Sequence, residues 1–285
     1  MAPIPHPEKF LEIRVNNVTS IPPLTAACAG YEVGKWRCEQ LAKHTLQWLP
    51  EFALRYSEWS NLTHSDAVAK VAKAALLISE SEDYKRRGEF GEILLHILLR
   101  QHIGTIPAIS KVFFKDSRND TVKGFDAVHV VEAGPEFELW LGEAKFYTNI
   151  GSAIHDVIAE LAEHTDSDYL RDEFLAITNK IDDLWPKGAE LRALLSRNRS
   201  LDATFSALCI PVLLTYDSAA VASHNSATEA YKKAFEKEVL KHWESFRDKL
   251  PTLPIRVYLF LLPLHKKEEL VRYMHECLKY AQGLV

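Results

Sequence analysis

From residue 63 onward the hydrophobic pattern switches repeatedly between a helical and a strand period. Residues 67–77 carry apolar side chains at helical spacing behind the N-cap candidates Thr63, Ser65 and Asp66. A second helix is predicted over about 83–102, closed by Gly104 and Pro107. Three candidate strands follow at 111–115, 124–131 and 137–146, then helices at about 152–164 and 169–184. Residues 207–216 and 255–262 are unbroken apolar runs bounded by turn residues, the pattern of central strands covered on both faces. Helices predicted over 227–249 and 265–282 would supply that cover. The succession implies an α/β architecture, a mixed β-sheet flanked by helices.

Ahead of this core, residues 1–62 read as an N-terminal extension of a strand plus helices, packed on a main body of residues 63–285. Phe10 to Val15 alternates like a strand, Ile21-Pro-Pro breaks it, and residues 34–50 have helical spacing. No Gly/Ser-rich linker separates the two parts, so the extension is expected to pack rather than swing. The 285 residues are 47% hydrophobic, enough for one large domain or a domain plus an extension. There are 39 Asp and Glu against 34 Lys and Arg, a net charge of −5. A nucleic-acid partner must then be met by a local basic patch, by metal ions or through a second protein. Cys28, Cys38, Cys209 and Cys277 are scattered, with no zinc-ligand spacing. No secretory signal and no apolar window of ~18 residues is seen, so a soluble, cytoplasmic protein with no membrane partner is expected.

Candidate chemistry is concentrated in residues 123–147. Two β-rich arms flank the short link Ala133-Gly-Pro-Glu136, and folding about its centre sets Asp126 opposite Glu143. Side chains alternate along a strand, so Glu143 and Lys145 share a face. Two carboxylates and an amine then converge on a sheet otherwise built from Phe, Val, Leu and Trp. Burying them costs several kcal/mol unless they are paired or bind a metal. Such a group suits divalent-metal phosphodiester hydrolysis.

Upstream, Glu89, Glu92 and His96 form a stripe beside the apolar helix face of Phe90, Ile93, Leu94 and Ile97. One of these carboxylates could join the metal, or both could simply complement the helix dipole. Lys85, Arg86, Arg87, Arg100, Lys111, Lys115, Arg118 and Lys123 make residues 85–123 positive. Arg86, Arg87, Lys115, Arg118 and Lys123 are the candidate DNA-phosphate contacts, against the alternative of a solvated loop. His129 alternates away from Asp126 and reads as a satisfied histidine. Tyr147 reads as a packing residue, with contact to a DNA backbone as the alternative. His155, Asp156, Glu160 and His164 share a polar helix side that either supports the site or is plain solvated surface. No phosphate-binding loop, nucleophile elbow or dinucleotide fingerprint is present.

A helical Glu, then Asp126, then Glu143-Ala-Lys145 on successive elements resembles the PD-(D/E)xK nuclease superfamily, with its restriction-endonuclease-like fold. The resemblance implies that Asp126 and Glu143 hold Mg²⁺ (or Mn²⁺), with Glu92 as first choice for the helical ligand and Glu89 as second. Lys145 would orient or help deprotonate the attacking water and stabilise the charged transition state. Phe125 stands where the idealised motif has Pro. The residues Gly30-Tyr-Glu-Val-Gly-Lys-Trp-Arg37, Leu46-Gln-Trp-Leu-Pro-Glu-Phe-Ala-Leu54, Arg87-Gly-Glu-Phe-Gly-Glu92, Lys123-Gly-Phe-Asp126 and Leu141-Gly-Glu-Ala-Lys-Phe146 further resemble the nuclease subunits of Hachiman anti-phage systems. That likeness implies a DNA-degrading effector restrained by a superfamily 2 helicase partner. The alternatives are a stand-alone restriction or repair endonuclease of the same superfamily, and a catalytically silent scaffold that binds DNA or a partner.

Overall fold

The strands form where β-branched and aliphatic residues run together, and the helices cover them. A computed structural model describes residues 6–78, 88–110, 124–133 and 136–284. The chain opens with β1 (Glu12–Asn17), the buried β2 (Leu24–Cys28) and a small hairpin of β3 (Tyr31–Glu32) and β4 (Lys35–Trp36). Helices α1 (Cys38–Ala53), α2 (Tyr56–Trp59), α3 (Ala67–Leu77) and α4 (Glu89–Leu98) follow. The last of these widens into a π-turn over Leu99–Ile103, which Gly104 ends at φ +79°. Next come β5 (Ile106–Ser110), β6 (Ala127–Ala133), β7 (Glu136–Phe146), α5 (Ile150–His164) and α6 (Ser167–Lys180). The chain closes with α7 (Gly188–Leu194), α8 (Leu201–Phe205), β8 (Leu208–Asp217), α9 (Ala219–Ala222), α10 (Glu229–Arg247), β9 (Arg256–Leu264) and α11 (Lys267–Gln282).

Seven strands make one mixed sheet in the order β1-β2-β9-β8-β7-β6-β5. The centre, β2-β9-β8-β7, is parallel, and the outer pairs β1–β2, β7–β6 and β6–β5 are antiparallel. Strands β8 and β9 are the two unbroken apolar runs, buried along nearly their whole length as doubly covered strands must be. The expected α/β class, a mixed sheet flanked by helices, is what the chain adopts. Strands β1 and β2 place part of the opening segment in this same sheet. The strand expected at 111–115 lies outside the described residues. Strand β5, just before it, was not foreseen because Pro107 reads as a breaker; β5 is the edge of the sheet, where a missing N–H is tolerated.

The two faces of β7 are served by different helices. An ideal Cβ on Gly91 of α4 would lie 2.9 Å from Phe146 Cβ, and one on Gly142 would lie 2.7 Å from Leu95 Cδ2. Helix α4 therefore lies directly on the Gly142, Ala144 and Phe146 face, and the alternate residues turn to the other side. Because the approach at Gly91 is backbone-close, Gly91→Val is expected to lower stability by about 2–3 kcal/mol, read by denaturant unfolding. An unchanged unfolding midpoint would mean that α4 is not held at this distance.

Candidate active site

The hairpin register decides which side chains meet. Ala127 pairs with Gly142 and Val128 with Leu141, and the ladder runs without a slip to Ala133 and Glu136. Asp126 is the residue just outside this ladder, near enough for its charge to act on Glu143. Two bonds hold it there: its N–H donates to Gly142 O at 2.8 Å, and its Oδ2 accepts from the Ala144 N–H at 2.7 Å. The two carboxylates are 6% and 2% exposed, so water screens neither of them well.

Burial and the neighbouring charge of Asp126 raise the Glu143 carboxyl well above the usual carboxylate range, against the opposing bond from His164. His164 Nδ1 lies 2.6 Å from Glu143 Oε1. Burial works against protonation of this imidazole, but the bond and charge of Glu143 outweigh it and raise its pKa. Lys145 shares the Glu143 face, and its ammonium donates to Glu160 of α5. Tyr147, one step further along that face, donates its hydroxyl to Asp156 Oδ2 at 2.8 Å. The polar side of α5 is thus turned onto the Glu-x-Lys strand, except for His155, which is exposed.

Helix α6 packs against the same group of side chains. Tyr169 stacks on His164 with ring centroids 4.4 Å apart, and Phe125 meets both rings edge-on. The Tyr169 hydroxyl is buried without a hydrogen-bond partner among the described residues. Burial, with the nearby charges of Glu173, Glu143 and Asp126, pushes its pKa up. Glu173 is buried against Gly124, which has φ +133°; an ideal Cβ there would lie 2.7 Å from Glu173 Oε1. Only glycine fits that turn. Sequence reasoning missed Tyr169 and Glu173. The available signal was a carboxylate inside the apolar stripe of Leu170, Phe174 and Ile177.

The helical carboxylates separate cleanly. Glu92 is buried, and an ideal Cβ on Gly88 would lie 3.8 Å from its Oε1, so it folds toward the helix start. It shares the stripe of Gly88 and Leu95, on the β7 side. Glu89 is half-buried and lines a small cavity with Phe52, Ile78, Met274 and Leu278, about 200° around the helix from Gly91. Because α4 covers the Gly142 face, Glu92 starts from the face of β7 opposite to Glu143 and Lys145. Among the described residues no three His, Cys, Asp or Glu side chains stand close enough to hold one metal ion. The structure brings Asp126 and Glu143 together, with Lys145 beside them.

Of the predicted phosphate contacts, Arg86, Arg87, Lys115, Arg118 and Lys123 lie outside the described residues. Arg100, counted in the same positive region, turns inward instead. Its Nε donates to Glu51 Oε1 at 2.5 Å, and Glu51 Oε1 also lies 3.1 Å from His96 Nε2. His96 Nδ1 meets His129 Nε2 at 3.2 Å, and His129 Nδ1 meets the Thr105 hydroxyl at 2.6 Å. His129 is thus the satisfied, fully buried histidine that its alternation predicts. His96 belongs to this internal network and not to the carboxylate pocket.

The family described as HamA matches residues 5–278, which takes in the opening strands, the hairpin and the closing helices. The chain belongs to the HamA family. A curated relative of this HamA-family chain, Anti-bacteriophage protein A of Escherichia coli (strain K12), is 24% identical over 254 residues. That stretch covers 86% of this chain and 46% of the relative, so the chain spans about half the length of the curated protein it matches. No helix of the HamA-family chain is long and apolar enough, among the described residues, to cross a membrane.

Proposed function

We propose that this HamA-family chain is a metal-dependent DNA nuclease of the PD-(D/E)xK type, the effector of an anti-phage defence system restrained by a superfamily 2 helicase. The observation that supports the chemistry is the hairpin, which ties the buried Asp126 to the Ala144 N–H beside Glu143, with Lys145 on the Glu143 face of β7. The defence role rests on the family and on the name of the matched relative.

The donor set fits a hard divalent cation. Two buried carboxylates stand near each other, and burial together with the Asp126 charge already raises Glu143, a cost that a cation held by both would lower. Asp126 and Glu143 would hold Mg²⁺ or Mn²⁺, since one or two carboxylates plus substrate phosphate is a common Mg²⁺ arrangement; Glu92, the expected helical ligand, starts from the other face of β7 and is left out of this pair. When bound, the ion would polarise the phosphodiester and acidify a bound water. Lys145 would supply an ammonium to the reacting phosphate, where negative charge grows in the transition state. Phe125, Tyr169 and the apolar hairpin keep the local dielectric low, which strengthens each of these charges.

The test is cleavage of supercoiled plasmid with Mg²⁺ or Mn²⁺, by the chain alone and together with the helicase. Wild type is expected to cut, and Asp126→Asn is expected to remove cutting. The same variant should weaken Mn²⁺ binding, read by paramagnetic resonance without DNA, by at least about tenfold. Cutting that needs no helicase would favour a stand-alone endonuclease. No cutting with any metal, partner or DNA form would leave the silent scaffold.

A further inference from the structure

We propose that Glu160 and His164 of α5 are positioning residues for cleavage, setting where the Lys145 ammonium and the Glu143 carboxylate stand. The inference rests on the nuclease reading above.

Two periods are matched here. Residues two apart on one face of a strand are separated by about 6.6 Å. Residues four apart on a helix rise by about 6.0 Å. A helix laid antiparallel along a strand can therefore serve one strand face position by position. Strand β7 and α5 are joined by only residues 147–149, and Asn149 caps the helix by accepting from the Ser152 N–H at 3.0 Å. The chain thus folds straight back. Three contacts follow in step: Tyr147 with Asp156 at 2.8 Å, Lys145 with Glu160, and Glu143 with His164 at 2.6 Å. The helix advances by four each time while the strand retreats by two.

The three contacts differ in consequence. Tyr147 with Asp156 lies beyond the Glu-x-Lys pair and docks the helix. The other two grip the two reacting groups themselves. A lysine amine rides on a flexible four-carbon stem, and without a partner its position is spread over many rotamers. A misplacement of about 1 Å at a reacting centre can cost a hundredfold in rate. Glu160 acts in two opposite directions: it fixes the ammonium, and its own negative charge weakens that ammonium's hold on phosphate. Positioning predicts a slower enzyme when Glu160 is removed; simple charge neutralisation predicts a faster one.

The experiment uses the full chain on supercoiled plasmid with Mg²⁺, under whichever partner condition supports wild-type cutting. Single-turnover rates and DNA affinities are measured for wild type, Glu160→Ala, Glu160→Gln, His164→Ala and Asp156→Ala, each with its melting midpoint. Expected is a loss of about 10- to 100-fold in rate for Glu160→Ala and His164→Ala at nearly unchanged DNA affinity. Glu160→Gln, which keeps an acceptor oxygen, should recover most of the rate, and Asp156→Ala should stay within about twofold of wild type. A Glu160→Ala enzyme as fast as wild type or faster overturns the inference. So does an equal loss in Asp156→Ala, which would reduce α5 to a docked support. Failure of wild type to cut at all would instead remove the nuclease reading on which the inference stands.

Discussion

Lys145→Ala is expected to slow DNA cleavage by about 10²–10³-fold while the protein stays folded, a loss typical of removing one preorganised stabiliser of transition-state charge. The fold should tolerate the change because the partner, Glu160, is 36% exposed and can be hydrated when its cation is gone. Packing is a separate matter, since the Lys145 side chain is only 12% exposed and its stem lies against the sheet. Lys145→Met keeps that stem and removes the charge. It should lose cleavage as fully as Lys145→Ala and melt within a few degrees of wild type. A methionine variant that still cuts would sink the assignment of Lys145, whatever the alanine variant does.

The second large effect concerns stability. Glu51→Ala is expected to cost about 3–5 kcal/mol, because it leaves the Arg100 guanidinium buried without its counter-charge. For a chain of this size that is a drop of roughly 6–15 °C in melting midpoint. Burial alone would raise the Glu51 carboxyl, but His96 and Arg100 outweigh it and hold it down to about 2. Its contribution is therefore present above the ordinary Glu range and lost as pH falls toward 2. His96 and His129 act on a different window. Burial, first among the causes, lowers both, so the unfolded chain takes up protons before the folded one as pH falls through 6.5. Each histidine then removes up to about 1.4 kcal/mol of stability per pH unit below that point. Unfolding of wild type and Glu51→Ala at pH 7.5 reads the ion pair, and wild type at pH 5.5 against pH 7.5 reads the histidines. A Glu51→Ala protein as stable as wild type, or a stability independent of pH between these values, would contradict the network.

The hairpin was legible because its link is short: so tight a connection leaves little freedom in register, and the pairs from Ala133–Glu136 back to Ala127–Gly142 follow by counting alone. The apolar runs of β8 and β9 were legible for a similar reason, since only a doubly covered strand reads that way. Strand β2 was not, because Leu24-Thr-Ala-Ala-Cys28 is buried on every side chain and shows neither alternation nor bulk. The role of α5 was half legible. Its polar stripe was visible, but a polar helix face is ordinarily solvated, and only the fold shows that it lies on the strand that carries Lys145. The Glu51 network was invisible, because its members come from α1, α4, the π-turn, β6 and the residue before β5, and no local pattern links them.

The step-by-step match between β7 and α5 also constrains how this chain can change length. One residue inserted between Asp156 and His164 would turn everything after it by about 100°. His164 would leave Glu143, and Tyr169 and Glu173 beyond it would be carried away from the carboxylates together. In α5, a deletion or insertion of a single residue displaces His164, Tyr169 and Glu173 at once, so its reading frame of turns is as restricted as the identity of the residues it carries.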